Sequence, residues 1–259
     1  ILGLTHEEFP ALPNFEKAKE FKFPQKVLKD SLKKTSYAIS TDETRYVLNG
    51  VYFSFANNTL ILVATDGRRL AMVDHELEFP KSNETNVIVP TKAVNELQRL
   101  LGDGEDVLIT IAENQIAFKL DKLLLVSRLI EGNYPNYRQV IPDKTVDRIT
   151  LERETFLQTV HRVSLLTSEK SHSIKLVFGE DNIDIMANSP DIGEARESLA
   201  VQYKGNEFAI AFNPEFLMAP LRNLDTDEVF LHLIDEMSPG VLKINSSFLY
   251  VLMPMRVTQ

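Results

Sequence analysis

The sequence predicts an α+β protein of two repeated domains, each with antiparallel sheet and a pair of helices packed on one face. Three observations predict it. Runs of period-two alternation follow one another with only short turns between them, which favours antiparallel strands over parallel crossovers. The order helix, strands, helix, strands occurs twice. Landmarks keep one period: Pro90 and Pro214, each just before a second helix, are 124 residues apart, and Asp66 and Asp191, each in a turn after a third strand, are 125 apart. That spacing is too long for a solenoid repeat and fits two domains of one fold.

Taken in order, residues 1 to 24 carry Pro10, Pro13 and Pro24 and read as a tail or linker. Residues 25 to 37 read as a helix with Leu28 and Leu32 on one face and Lys26, Lys29, Lys33 and Lys34 on another. Strands are expected at 45–56, 59–65 and 69–74, with Asp66-Gly67 as a turn between the last two. After a loop at 80–84 and a short strand at 87–89, Pro90 opens a second helix through Leu101, which Gly102-Asp103-Gly104 stops. Its apolar face is Val94, Leu97 and Leu101; its polar face is Lys92, Asn95, Glu96 and Arg99. Strands follow at 107–112, 115–120 and 123–129, and residues 131–142, with two prolines, read as a linker.

The second unit begins with a helix at 153–167 that turns Phe156, Leu157, Val160 and Val163 inward. Strands are expected at 174–178, 182–187, 195–201 and 208–212. A helix spans 214–223, and further strands follow at 228–234, 241–244 and 248–252. Pro220 lies inside that last helix and is expected to kink or shorten it.

Composition narrows the function classes. Across 259 residues, 44% are hydrophobic and 25% charged, an ordinary globular balance. No apolar run approaches the roughly 18 residues of a membrane helix, and no signal peptide is visible. The opening Ile1-Leu2-Gly3-Leu4 reads as a cut through a larger chain. The absence of cysteine excludes disulfides, thiolate zinc and cysteine nucleophiles, and fits a reducing cytoplasm. A net charge of -9 argues against wholesale coating of nucleic acid, but not against a local basic surface.

Catalytic signatures are missing. No two of the five histidines have metal-ligand spacing, and no phosphate loop or nucleophile elbow occurs. Asp181, Asp184 and Asp191 read more simply as turn residues and a solvent-facing strand residue than as a metal cluster, so no catalytic residue, metal or cofactor is expected. The helix faces say more. Lys26, Lys29 and Lys33 on the first helix, Lys92 and Arg99 on the second, and Arg153, Arg162 and Arg222 on the helices of the second unit make one basic side, provided the four helices share it. Such a side meets phosphates without reading bases. The C-terminal Val251-Leu252-Met253-Pro254-Met255 is unusually apolar for a chain end, and reads either as a buried edge strand or as a groove wall suited to varied peptides.

Four stretches in order, Arg45-Tyr46-Val47-Leu48-Asn49-Gly50, Ala64-Thr65-Asp66-Gly67-Arg68-Arg69-Leu70-Ala71, Glu131-Gly132-Asn133-Tyr134-Pro135-Asn136-Tyr137-Arg138 and Tyr250-Val251-Leu252-Met253-Pro254-Met255-Arg256, resemble the bacterial sliding clamp, the beta subunit of DNA polymerase III. The resemblance covers essentially the whole chain. It implies the end of the first clamp domain at 1–21, the second domain at 22–142 and the third at 143–259, with antiparallel sheets outside and two helices per domain on the pore-facing side.

The resemblance further implies a non-enzymatic processivity factor, cytoplasmic and nucleoid-associated, that encircles duplex DNA without sequence preference. It implies a homodimeric ring when the first domain is present. The implied partners are the DNA polymerase III alpha subunit and other polymerases, the clamp loader, mismatch-repair proteins and ligase, all through linear motifs. Their groove is implied at Leu48, Thr65, Gly67, Arg68, Arg69, Leu70, Pro135, Val140, Asn213, Val251, Met253, Pro254, Met255 and Arg256, with Leu48, Leu70, Val140, Val251 and Met253 as the apolar pocket. Arg68, Gln139 and Phe216 stand where the family more often has histidine, arginine and tyrosine. Two other classes compete: a duplicated adaptor that binds peptides but never DNA, and a metal-dependent hydrolase built on the acidic turns.

Overall fold

The computed structural model describes residues 15, 18–142, 147–167, 172–189 and 193–255. The tail before residue 15, the landmark Asp191 and the groove candidate Arg256 lie outside the described residues.

The first unit runs β1 (Lys19–Pro24), α1 (Gln25–Thr35), β2 (Gly50–Ala56), β3 (Thr59–Thr65), β4 (Arg69–Glu76), β5 (Thr85–Pro90), α2 (Thr91–Leu100), β6 (Asp106–Ile111), β7 (Gln115–Leu120) and β8 (Leu123–Arg128). The second runs β9 (Asp147–Glu152), α3 (Arg153–Ser164), β10 (Ile174–Gly179), β11 (Asn182–Ser189), β12 (Gly193–Ala200), β13 (Phe208–Phe212), α4 (Pro214–Asn223), β14 (Glu228–Leu233), β15 (Gly240–Lys243) and β16 (Leu249–Leu252).

These form three antiparallel sheets: β1-β6-β7-β8, β12-β11-β10-β13, and an eight-stranded sheet β5-β2-β3-β4-β16-β15-β14-β9. The large sheet is continuous across both units because β4 pairs with β16. Its inner face carries Leu60, Leu62, Ala71, Val73, Leu242, Tyr250 and Leu252 into the main core, where Leu28 and Leu32 of α1, Val94 and Leu97 of α2, Phe156 and Val160 of α3 and Leu217 and Leu221 of α4 meet them. Its outer face holds a smaller cluster of Val63, Leu70, Tyr137, Val241 and Val251, capped by Tyr134 and Ile141 of the connecting segment. Alternation along each strand sends successive side chains to opposite faces, so one seam serves both clusters.

The four helices contact one another in the order α2, α1, α4, α3, and therefore do share one side of the molecule.

Four expectations change. The tail reading of residues up to Pro24 fails from Lys19 onward: Phe21 and Phe23 are 3% and 2% exposed and β1 pairs along the whole of β6. Residues 45–49 are not strand; Glu43–Leu48 forms two short 3-10 turns broken at Arg45, the first begun by the Asp42 side chain accepting the Thr44 N–H. Asp184 is not solvent-facing, for its carboxylate binds Arg196 at 2.5 Å and also accepts from the Ser198 hydroxyl.

Pro220 does not shorten its helix, since α4 spans Pro214–Asn223 as expected. Proline removes the N–H that would serve the carbonyl four residues earlier, that of Phe216. The Tyr250 hydroxyl on β16 donates to that same carbonyl at 2.7 Å. The orphaned acceptor is satisfied from the sheet, and α4 is locked to β16.

Candidate functional site

The β4–β16 seam is built from the turn before it. Asp66 Oδ1 accepts the N–H groups of Arg68 and Arg69 at 2.9 and 3.1 Å, while the Thr65 hydroxyl accepts the Gly67 N–H at 3.0 Å and donates to the Arg69 carbonyl at 2.5 Å. Gly67 takes φ of +84°, a left-handed conformation that a Cβ would strain, and the added carbon would lie 2.8 Å from an Arg45 guanidinium nitrogen. This short-range network holds Arg68 outward, Arg69 inward and Leu70 on the outer face.

Arg69 ties three elements together beneath the sheet. Its Nε donates to Asp66 Oδ2 at 3.0 Å, a terminal nitrogen donates to the Tyr37 carbonyl at 2.7 Å, and its guanidinium carbon stacks 4.4 Å from the Phe216 ring centroid. Its side chain is only 14% exposed. The seam is thus fixed to the segment after α1 and to α4. Burial pushes the phenols of Tyr37 and Tyr250 up, with Arg69 opposing in both.

Above the seam, Leu70 and Val251 stand opposite each other, 2% and 1% exposed. The C-terminal segment leaves β16 between two anchors: the Met253 N–H donates to the Arg68 carbonyl at 3.0 Å, and the Met255 N–H donates to the Ala211 carbonyl at 2.8 Å. Met253 is left 41% exposed, and Val140 of the connecting segment, beside Ile141, 44% exposed. Pro135 and Arg68 are also exposed, while Pro254 and Met255 are half-buried.

Of the five stretches that carry the expected residues, those at 65–70, 135–140 and 251–255 meet at the seam, and of the expected pocket only Leu70 and Val251 join its apolar cluster. Leu48 is buried but lies outside the apolar cluster that joins Leu70 to Val251. Asn213 is committed to capping α4, its Oδ1 accepting from the Glu215 and Phe216 N–H groups. Tyr137 and Val241, members of that cluster, escape the sequence reading. Val241 is found only through its pairing with Val251, and Tyr137 only through the path of the connecting segment. A cavity of about 210 Å³ is lined by Tyr52, Glu113, Glu131 and Tyr134 among others, and another of about 380 Å³ by Leu157, His161, Arg162 and Arg222. Neither includes a residue of the expected groove.

On the helix side, Lys26, Lys29, Lys92, Arg99, Arg162 and Arg222 are exposed as expected. Lys33 bridges the two units through Asp225 at 2.7 Å, and this contact holds the Asp225 carboxyl below its ordinary range. Arg153 departs from expectation. Its Nε and a terminal nitrogen donate to the carbonyls of Thr226 and Leu221 at 2.8 and 3.0 Å, so it closes the end of α4 instead of projecting freely. Leu157, expected inward, is half-buried and lines the second cavity. Among the described residues no group of three acidic or histidine side chains is placed to hold a metal ion. Among them, too, no helix is long and apolar enough to cross a membrane.

A duplicated, antiparallel-sheeted scaffold with helices on one side and an interdomain apolar seam on the other defines a clamp-type binding protein. Residues 22–136 match the family described as DNA polymerase III beta subunit, central domain, and residues 138–256 match the DNA polymerase III beta subunit, C-terminal domain. The chain is 37% identical to the beta sliding clamp of Chlamydia pneumoniae over 99% of its own length and 70% of that protein's. It is 38% identical to that of Halalkalibacterium halodurans over 93% and 65%. Crystal structures of the Bacillus subtilis DNA polymerase sliding clamp (TM-score 0.92, 32% identity) and of the Bartonella birtlesii sliding clamp bound to griselimycin (TM-score 0.91, 37% identity) superpose on 98% of the chain. It covers 69% and 70% of those chains. The chain belongs to the bacterial beta sliding clamp family, whose members are processivity factors and not enzymes.

Proposed function

We propose that this chain supplies the second and third domains of a ring that encircles duplex DNA, tethers the replicative polymerase and recruits partners through the groove at the β4–β16 seam. The observation that carries the reading is this division of labour across one scaffold: α2, α1, α4 and α3 form a single exposed layer, and the apolar seam opens elsewhere, on the outer face of the large sheet. Helices that meet phosphates loosely permit sliding, because nothing in the contact depends on base identity.

The domains divide near residues 22–142 and 143–259, with the β4–β16 pairing as their junction. Partners are the DNA polymerase III alpha subunit, other polymerases, the clamp loader, mismatch-repair proteins and ligase, each through a short motif whose Leu or Phe enters beside Leu70 and Val251. The lip is Met253, Pro254, Met255 and Val140, with Arg68 and Pro135 exposed at the margin and Thr65, Gly67 and Arg69 holding the turn. Burying one such anchor contributes roughly 1.5 to 3 kcal/mol, a scale that suits exchangeable partners. An exposed methionine adapts to different anchors because it is unbranched and polarisable.

The test is binding of a fluorescent peptide containing Gln and a Leu/Phe pair. Micromolar binding that Met253→Ala reduces supports the groove; equal binding by the variant removes it. Charge reversal at Lys29 and Lys33 in a ring-forming protein separates a clamp, which then loads poorly onto DNA, from an adaptor, which is indifferent.

A further inference from the structure

The expected DNA face is not uniform. Lys26, Lys29 and Lys92 on α1 and α2 are exposed, and none has an ion-pair partner among the described residues. Lys33, Lys34 and Arg99 of the same two helices are paired, with Asp225, Asp30 and Glu96. On α3 and α4, by contrast, every arginine is met by an acid, and among the described residues no free cation of the expected set is left there. Arg162 forms a two-pronged pair with Glu197 of β12, Nε to Oε1 at 2.8 Å and a terminal nitrogen to Oε2 at 2.6 Å. Arg222 meets Glu215 at 3.0 Å. Arg153 is turned onto carbonyls and Glu154. The helices themselves repeat the contrast: α1 and α2 carry six basic against two acidic residues, α3 and α4 three against two. Their N-termini follow suit. Those of α1 and α2 have no acidic residue in the first turn and no side-chain cap, whereas Glu152 and Asn213 cap α3 and α4, with Glu154 and Glu215 in the first turns.

We propose that Lys26, Lys29 and Lys92 carry the phosphate contacts of this chain, and that Glu197 and Glu215 hold the third-domain arginines in reserve, keeping that half of the face nearly neutral toward DNA. This rests on the DNA-encircling reading. The physical reason is that a cation already neutralised adds no net positive charge at the backbone, and displacing its carboxylate leaves an anion beside the phosphate. An unpaired lysine instead contributes about 0.9 to the slope of log K against log salt. The glutamates thereby loosen one side of the ring's grip.

The experiment is a salt titration of the 259-residue chain against a short fluorescent duplex, beginning at low ionic strength. Expected is a fall in slope of about 2.7 for the triple lysine-to-alanine variant (Lys26, Lys29 and Lys92, about 0.9 each). Deleting each pair together, Arg162→Ala with Glu197→Ala and Arg222→Ala with Glu215→Ala, should leave the slope nearly unchanged, and Glu197→Gln with Glu215→Gln should raise affinity several-fold and steepen it. Equal losses from the lysine set and the pair deletions, or glutamine variants that bind no better, would overturn the proposal while leaving the DNA reading intact. No salt-dependent binding by the unaltered chain would overturn both. The triple variant's unfolding midpoint checks that it is folded, and exposed lysines should not move it.

Discussion

Leu70 of β4 and Val251 of β16 are direct cross-strand partners, and both are buried on the outer face of a sheet whose halves come from different domains. A position proposed to anchor a peptide on one side therefore also belongs to the domain junction. This separates two kinds of groove substitution.

Met253→Ala should lower peptide affinity several-fold with little change in thermal stability, because the side chain is already 41% exposed. Leu70→Ala should lower affinity too, but at a cost of about 2 to 5 kcal/mol in stability, the usual range for a buried leucine truncated to alanine. Peptide titration beside urea unfolding checks both. Equal stability loss from the two would show that Met253 is packed, not presented.

Tyr250→Phe should destabilise by about 1 to 3 kcal/mol, since the Phe216 carbonyl loses its donor. In a Pro220→Ala background the same change should cost less, because the substituted alanine restores an N–H to that carbonyl. A double-mutant cycle measures the difference as a coupling energy, and additivity would sink the assignment.

Arg69→Lys should not be conservative. A lysine cannot reach Asp66, the Tyr37 carbonyl and the Phe216 face together. Hydrogen exchange is expected to rise in the segment after α1, in α4 and in the Asp66 turn, with peptide affinity falling although Arg69 lies beneath the sheet. Protection unchanged in α4 would mean that the stacking contact is idle.

Acid should weaken the protein in two windows. Burial holds the His75 imidazole below its ordinary range, so its folded state favours the neutral form; stability is full above the unfolded pKa of about 6.5 and declines as pH falls below it. Hydrogen bonds from Ser198 and Arg196 lower the Asp184 carboxyl, so its contribution is present above about pH 4 and is lost as pH falls further. Unfolding midpoints against pH should show both declines. Asp184→Asn should make only the lower decline shallower, since Asp225 and Glu197 among others share it, and a midpoint independent of pH from about 7 to about 5 would exclude the first.

Much of this fold was legible because its signals are local. Strands β3 and β7 and helix α4 fall at their expected bounds, since alternation, a turn glycine and a proline at a helix start act within a few residues. The misses are non-local. Phe21 and Phe23 read as a tail because only β6, far along the chain, makes them a strand. Residues 45–49 resemble β-sequence, yet Asp42 caps a 3-10 turn there. Pro220 reads as disruptive because its remedy, Tyr250, comes from another element.

The site divides the same way. The turn chemistry of Thr65, Asp66, Gly67 and Arg69 is readable from the chain, as are the basic stripes and the apolar end. Residue order alone establishes which side chains carry charge, which strands alternate and that the unit occurs twice. It takes the folded arrangement to bring Leu70 to Val251, to complete their cluster with Val241 and Tyr137, and to set acids against Arg162 and Arg222 while leaving Lys26, Lys29 and Lys92 without them. Those pairings depend on which distant strand or helix arrives alongside, and composition along the chain carries no record of that arrival.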